Sequence, residues 1–264
     1  TSFFHGAPNG SMGFLGLSNI LGFDNYFGKN EFNNNSLYDG YWGIWDEPFF
    51  QFMKNKIDDF QEPFFTTLFS LSSHEPFNVP KEYENFFPKG NVEMHEVIGY
   101  SDNALKKFFD SAKKEPWFKN TLFVITSDHC NQFWYPYYRA PINRFAIPII
   151  FYDPNGSFKG VDSTLAQQLD IYPTIVDYIG YEKPLISWGR SLFSDNSGVP
   201  FSIHFSGTVY RFSMNDFTLV FDGQKTIGVY SIDDLFLENN LIENKNINYV
   251  LEEKYLKSFL QDYI

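Results

Sequence analysis

The sequence predicts an α/β fold, a mostly parallel sheet flanked by helices, followed by a small antiparallel sheet and a terminal helix. Three observations carry this reading. The runs Pro63–Ser72, Thr121–Thr126 and Ala146–Tyr152 are of strand length and nearly all apolar or β-branched, as in strands covered on both faces. Segments of helical period alternate with them. After about Asp195 the pattern changes to short strand-like stretches separated by turn residues.

Taken in order, Thr1 to Asn35 is rich in Gly and Asn and reads as loop. A helix is expected from about Asp46, where Asp-Glu-Pro precedes an apolar-periodic run from Phe49 to Phe60. The first buried strand then runs into the polar loop Ser73-His74-Glu75-Pro76. A second helix is expected from Val92 to Lys114, with Val97, Tyr100, Ala104, Leu105 and Phe108 on one face. The second strand runs directly into Ser127-Asp128-His129. The third is followed by a helix over Ser163 to Ile179. Three short strands are expected at His204–Tyr210, Arg211–Asp222 and Lys225–Ile232, with Asp222-Gly223 as a hairpin signal. An amphipathic helix over Tyr249 to Tyr263 closes the chain. The division falls between residues 1–195 and 196–264.

The bulk properties exclude some functions. A net charge of -12 argues against nucleic-acid binding through phosphate neutralisation. It does not argue against a phosphate or sulfate ester as substrate, because a metal ion supplies local positive charge. Aromatics make up 20% of the chain, more than a core alone requires. The single cysteine, Cys130, forms no internal disulfide. No run of about 20 apolar residues is present, and no signal peptide is visible.

Ligands of open α/β sheets bind beyond the carboxyl ends of the strands. Two strands here end in His74 and in Asp128-His129, so both polar groups are expected on one sheet edge. An adjacent carboxylate and imidazole suit a divalent metal such as Zn2+ or Mn2+. The alternative is that Asp128 caps a turn and His129 is a satisfied loop residue. His74 and His5 are open to the same two readings. His95 is expected on a helix surface, and His204 at the start of the small sheet. No Gly-x-Ser-x-Gly elbow, Walker-type loop or dinucleotide fingerprint is present. Cys130 as nucleophile requires a lowered thiol pKa.

A series of blocks carries a family resemblance. It comprises Phe4-His5-Gly6, Trp42-Gly43-Ile44-Trp45-Asp46-Glu47-Pro48 and Ser72-Ser73-His74-Glu75-Pro76-Phe77. It continues with Thr126-Ser127-Asp128-His129, Gln168-Leu169-Asp170-Ile171-Tyr172-Pro173-Thr174 and Gly189-Arg190-Ser191-Leu192. In this order the blocks resemble the sulfatase-like domain of lipoteichoic acid synthase and its phosphoglycerol transferase relatives, in the alkaline phosphatase superfamily. The resemblance implies that residues 1–195 are the C-terminal part of a catalytic domain and 196–264 a small β subdomain. It implies Asp128 and His129 as ligands of a divalent metal (Mn2+ favoured, with Mg2+, Zn2+ and Ca2+ the other choices). It places His74 in a catalytic role, with His5 and His74 beside the transferred phosphoryl group. The implied chemistry is two-step group transfer on an anionic lipid headgroup or glycan ester, in an extracytoplasmic protein anchored to the membrane by an upstream segment. The family's nucleophile and first acidic metal ligand lie upstream of His5, so the chain alone is expected to be inactive.

The resemblance departs at Met12 and Phe14, which align with a Trp and an Arg that hold glycerol phosphate in phosphoglycerol transferases. An apolar Phe14 cannot replace a guanidinium on a phosphate. A sulfatase, and a catalytically inactive module that binds an anionic ligand, are the competing readings.

Overall fold

The computed structural model describes residues 1–194 and 198–263. The described chain forms two compact units, one of Thr1–Phe123 with Tyr152–Ser157 and one of Val124–Phe151 with the residues from Phe158 onward. The expected division between residues 195 and 196 lies outside the described residues.

The first unit contains, in chain order, β1 (Ser2–His5), α1 (Phe14–Ile20), β2 (Asn25–Phe27), α2 (Lys29–Phe32), α3 (Asp46–Ile57), β3 (Thr66–Phe69) and α4 (Met94–Ala112). β1 is the centre of a three-stranded parallel sheet of order β2-β1-β3, with Ser2 opposite both Asn25 and Thr66. The expectation that Thr1 to Asn35 is loop is therefore corrected: it holds two strands and two short helices. A four-residue strand buried at every position shows no alternation to read. Gly10 and Gly13, which look like loop residues in the sequence, supply the left-handed turns before α1 at φ 102° and 74°.

α3 and α4 form the expected helices and pack through Phe50 and Ile57 against Ala104, Phe108 and Ala112. In α4 the buried positions Val97, Tyr100, Ala104, Phe108 and Ala112 recur every three or four residues; the expected stripe is present except that Leu105 is only partly buried and Ala112 extends it. A second cluster of Phe4, Ile44 and Phe49 lies between sheet and helix.

The second unit takes β4 from Val124 (the strand is Phe123–Thr126), α5 (Pro136–Arg139) and most of β5 (Ile149–Tyr152). It continues with α6 (Ile171–Tyr178), β6 (Phe201–Phe205), β7 (Tyr210–Met214), β8 (Phe217–Phe221), β9 (Thr226–Ser231) and α7 (Val250–Tyr263). β4 pairs with β5 in a two-stranded sheet. Hence β3 and β4 belong to separate sheets, and the expectation that His74 and Asp128-His129 end strands of one sheet is not met. The helix expected over Ser163 to Ile179 is shorter. The Asp170 carboxylate accepts the Gln167 N–H at 2.9 Å, and this cap starts a turn at Gln168 that leads into α6.

β6-β7-β8-β9 form an antiparallel sheet of four strands where three were expected. The run Arg211–Asp222 folds back on itself at Asn215, whose φ of 49° is a turn conformation that Asn tolerates. The expected Asp222-Gly223 hairpin is present, with Gly223 at φ 94° and the Asp222 carboxylate accepting the Gln224 and Lys225 N–H groups at 2.8 Å. One face of this sheet presents Phe212, Met214, Leu219 and Phe221 to Leu256 of α7.

Candidate active site

β4 ends at Thr126, and Asp128 and His129 follow on an open loop, their side chains 55% and 57% exposed. Thr126 Oγ1 donates to the Pro148 carbonyl at 2.9 Å, which fastens the strand end to the segment entering β5. Asp128 Oδ1 accepts the His129 N–H at 2.9 Å. His129 Nδ1 lies 2.8 Å from the Cys130 carbonyl oxygen. A carbonyl only accepts, so Nδ1 carries a proton, and in the neutral form of the ring the lone pair is then on Nε2. That Nε2 lies 3.4 Å from Asp128 Oδ2.

This donor set fits a divalent metal. Metal-ligating imidazoles commonly donate their second N–H to a backbone carbonyl, as His129 does. Asp128 Oδ2 and His129 Nε2 lie 3.4 Å apart, near enough for one ion to take both. Among the described residues no group of three or more His, Cys, Asp or Glu side chains gathers in this way. The Cys130 thiol donates to the Ala146 carbonyl at 2.7 Å, and burial pushes its pKa up, which removes thiolate character.

Gln168 was not singled out as a functional residue in the sequence. Its side-chain amide donates to the Ser127 carbonyl at 2.8 Å and the Asp128 carbonyl at 3.0 Å, so it holds the loop that carries the pair. Gln168 is held in turn by buried Asp170, whose carboxylate accepts the Gln167 and Arg190 N–H groups, each at 2.9 Å. Gly189 belongs to this lock, since a Cβ there would stand 2.1 Å from the Leu169 carbonyl oxygen. The blocks around Gln168 and Gly189 in the sequence are thus two halves of one support.

In the first unit, His5 ends β1 fully buried, its ring edge-on to Phe14 at 4.7 Å and to Phe69 at 5.6 Å. Its Nδ1 lies 3.5 Å from the Tyr26 hydroxyl, and its Nε2 has no hydrogen-bond partner among the described residues. Burial lowers the His5 pKa to about 4 and, with the Glu31 charge adding to it, raises that of Tyr26 to about 12. His74 is exposed, with Nδ1 3.2 Å from the Glu75 carbonyl, which leaves Nε2 as the open nitrogen. The Trp42 ring packs on His74 at 4.2 Å, and its indole N–H donates to the same Glu75 carbonyl.

The segments bearing these two histidines meet at Gly43. The Ile44 N–H donates to the Gly6 carbonyl at 2.9 Å, and a Cβ on Gly43 would lie 2.6 Å from the Gly6 oxygen and 2.5 Å from a Leu71 methyl. Asp46 fixes the other side: its carboxylate accepts the Leu71 N–H at 2.9 Å and the Ser72 N–H at 3.2 Å, while its own N–H donates to Ser72 Oγ. His95 lies within α4, and its Nδ1 accepts the Asn91 N–H at 3.0 Å.

The Sulfatase family model matches residues 3–181. The lipoteichoic acid synthase-like protein YvgJ of Bacillus subtilis (strain 168) is 24% identical over 224 residues, which cover 76% of this chain and 35% of that protein. The lipoteichoic acid synthase of Staphylococcus aureus (strain USA300) is 27% identical over 179 residues, 60% of this chain and 28% of that one. The chain spans about a third of the length of these curated relatives. Among solved structures, an alkaline phosphatase superfamily protein from Vibrio parahaemolyticus superposes over all of this chain and 66% of its own, with a TM-score of 0.79 at 20% identity. The lipoteichoic acid synthase LtaP from Listeria monocytogenes does so over 98% and 69%, with a TM-score of 0.73 at 18% identity. At these identities the structural likeness shows the fold.

Proposed function

The chain belongs to the sulfatase family, matched over residues 3–181, and from that premise we propose that it is part of a metal-dependent phosphoryl-group transferase or phosphodiesterase acting on an envelope lipid or glycan. The observation that carries this reading is the exposed Asp128–His129 pair, with Nδ1 of the imidazole committed to a carbonyl and Nε2 turned to a carboxylate oxygen 3.4 Å away. Asp128 Oδ2 and His129 Nε2 would hold the ion, and Mn2+ is the choice that the family resemblance favours. When bound, a divalent ion supplies positive charge against the charge that develops on the transferred group.

The chain's own residues then have separate tasks. Gln168 and Thr126 keep the β4 exit loop in place. His74, anchored through Nδ1, offers Nε2 to take or deliver the proton of an acceptor hydroxyl. His5, buried at the end of β1 with its Nε2 unpartnered among the described residues, would stand beside the transferred group, as the family resemblance implies. Among the described residues no third metal ligand gathers at the pair and no nucleophile is assigned, and the chain spans about a third of the length of its curated relatives. We place the protein outside the cytoplasm and at the membrane, as the family resemblance implies. Among the described residues no helix is long and apolar enough to cross a membrane.

A sulfate-ester hydrolase is the second reading, and Phe14 favours it over a glycerol phosphate enzyme. Its ring packs on His5 at 4.7 Å, where the phosphoglycerol transferase pattern has a guanidinium. The test uses the protein that carries this chain, with an activated phosphodiester and an activated sulfate monoester as substrates. Turnover of the phosphodiester, lost in Asp128→Ala and His129→Ala, supports the proposal. Turnover of the sulfate ester alone selects the second reading. Full activity in Asp128→Ala refutes both.

A further inference from the structure

The second unit contains a concentration of positive charge that the proposed mechanism does not use. In β6 and β7 the alternate residues Phe201, Ile203, Phe212 and Met214 face the core under α7. By the two-residue period of a strand, Ser202, His204, Arg211 and Ser213 occupy the opposite face. That face is polar and yet enclosed: Ser213 and Thr218 are buried and share a hydrogen bond of 2.8 Å, and the Phe145 ring lies on the His204 ring at 4.3 Å. His204 and Arg211 are direct cross-strand partners, which places their side chains next to each other.

His204 Nε2 and Arg211 Nε are both buried and have no hydrogen-bond partner among the described residues. No carboxylate among those residues pairs with Arg211 or with exposed Arg144. Burial and then the Arg211 charge lower the His204 pKa to about 4, and burial and then the Arg144 charge lower that of Arg211. Acidic residues outnumber basic ones by 32 to 20 in this chain. Arg144, next in sequence to the Phe145 that covers His204 and with its guanidinium 4.7 Å from the Phe133 ring, and Arg211, with a buried N–H unmet among the described residues, both lack a carboxylate partner there and run against that surplus. A buried charged donor left unmet bears the full penalty of its desolvation.

We propose that Arg144, His204 and Arg211 form a binding site for a tetrahedral oxyanion, the phosphate or sulfate group of an ester. An oxyanion accepts the fixed N–H of a guanidinium and neutralises both arginines at once. Phe145 walls the site on the His204 side. The site is distinct from Asp128 and His129 but mechanically joined to them. Gln167 accepts the Ile203 N–H at 3.3 Å, next to His204, while the adjacent Gln168 holds the Asp128 carbonyl at 3.0 Å. If the proposed function holds, this site takes a second anionic group of the substrate, so the substrate class is polyanionic. The oxyanion site itself does not rest on that reading.

The test is binding of inorganic phosphate and of sulfate to the chain, followed by the imidazole resonances of His204. Phosphate is expected to shift them, and to raise the His204 pKa, because an anion favours the imidazolium. Arg144→Gln and Arg211→Gln are each expected to weaken binding roughly 10-fold or more, as loss of a charged hydrogen bond does. Arg211→Lys, which keeps the charge, is expected to weaken it less, and Arg144, being exposed, can be replaced without threat to folding. Asp128→Ala is expected to leave binding unchanged even if the metal reading fails. Equal affinity for sulfate assigns the site to either ester, and preference for phosphate assigns it to phosphate esters. Absence of a His204 response, binding unchanged by both arginine variants, or binding lost in Asp128→Ala would overturn the proposal.

Discussion

The side-chain amide of Gln168 donates to the main-chain carbonyl of Asp128 at 3.0 Å, from a turn about 40 residues along the chain. The same amide holds the Ser127 carbonyl at 2.8 Å, so one side chain restrains both peptide units before His129. Groups that orient a metal ligand without touching the ion typically change metal affinity by 10–100-fold when removed. Gln168→Met, which keeps the length and loses both donors, should therefore weaken Mn2+ binding by roughly that factor in the protein that carries this chain. The melting temperature should change little. Calorimetric titration with Mn2+ checks it; unchanged affinity would mean that the loop needs no such restraint.

Asp46 gives a prediction about stability. Its buried carboxylate receives N–H groups from Leu71 and Ser72 and the Ser101 hydroxyl at 3.3 Å, and so joins α3, α4 and the loop after β3. Burial raises its pKa although these donors oppose the rise. Asp46→Asn puts an amide donor against donors and should destabilise the protein by about 1–3 kcal/mol. Asp46→Ala should cost at least as much. Chemical denaturation measures both, and a stability loss well below this range would show that the loop satisfies its own amides.

Burial also predicts a dependence on acidity. His5 and His204 both have pKa values lowered to about 4, by burial first in each case. In the unfolded chain histidine titrates near 6.5. Between about 4 and 6.5 the unfolded state binds more protons, so stability rises with pH across that window and is lost on acidification. The slope is at most about 1.4 kcal/mol per pH unit for each group. Asp46 and Asp170, whose pKa values burial raises, take protons in the folded state and oppose the loss. His5→Gln should flatten the profile of denaturation midpoint against pH between 4 and 6.5. A slope identical to that of the unaltered protein would show that His5 does not contribute.

The parts of the site legible in the sequence are those set by local pattern. The run Thr121–Thr126 is apolar or β-branched throughout and polar residues follow it at once, and this is visible in one dimension. The α3 and α4 stripes are visible for the same reason. Gln168, Arg190 and Gly189 were in the quoted blocks, but their roles depend on a turn that meets the β4 exit loop 40 residues away, and no periodicity encodes that meeting. The pairing of His204 with Arg211 needs the register of a hairpin, and a shift of one residue would send the two to opposite faces. β1 and β2 are not legible in the sequence because strands of four and three residues beside glycine-rich turns have too few positions to show a period.

The last prediction concerns Phe14. By the family resemblance, a gapless match from His5 to Phe27 sets Met12 and Phe14 where phosphoglycerol transferases carry a Trp and an Arg. The structure places Phe14 against the edge of His5 at 4.7 Å and stacked on Phe3 at 5.6 Å, within an apolar cluster that includes Phe69 at 5.1 Å. Met12 is 64% exposed in a left-handed turn at φ 54°. A glycerol phosphate at this position would meet aromatic carbon instead of a guanidinium fork, and an anion removed from water without a hydrogen-bonding partner is strongly disfavoured. The protein that carries this chain should therefore release little or no glycerophosphate from phosphatidylglycerol, while it turns over an activated phosphodiester or sulfate ester. Phe14→Arg should not produce the missing activity by itself. The new guanidinium would sit among Phe3, Phe69 and buried His5, and the lost packing of a half-buried aromatic should lower stability, by less than the roughly 3 kcal/mol of a fully buried one. Mass spectrometry of lipid products, with the melting temperature of Phe14→Arg, decides the matter. Glycerophosphate release by the unaltered protein at the rate of its activated phosphodiester would show that this enzyme holds a glycerol phosphate headgroup without an arginine at position 14.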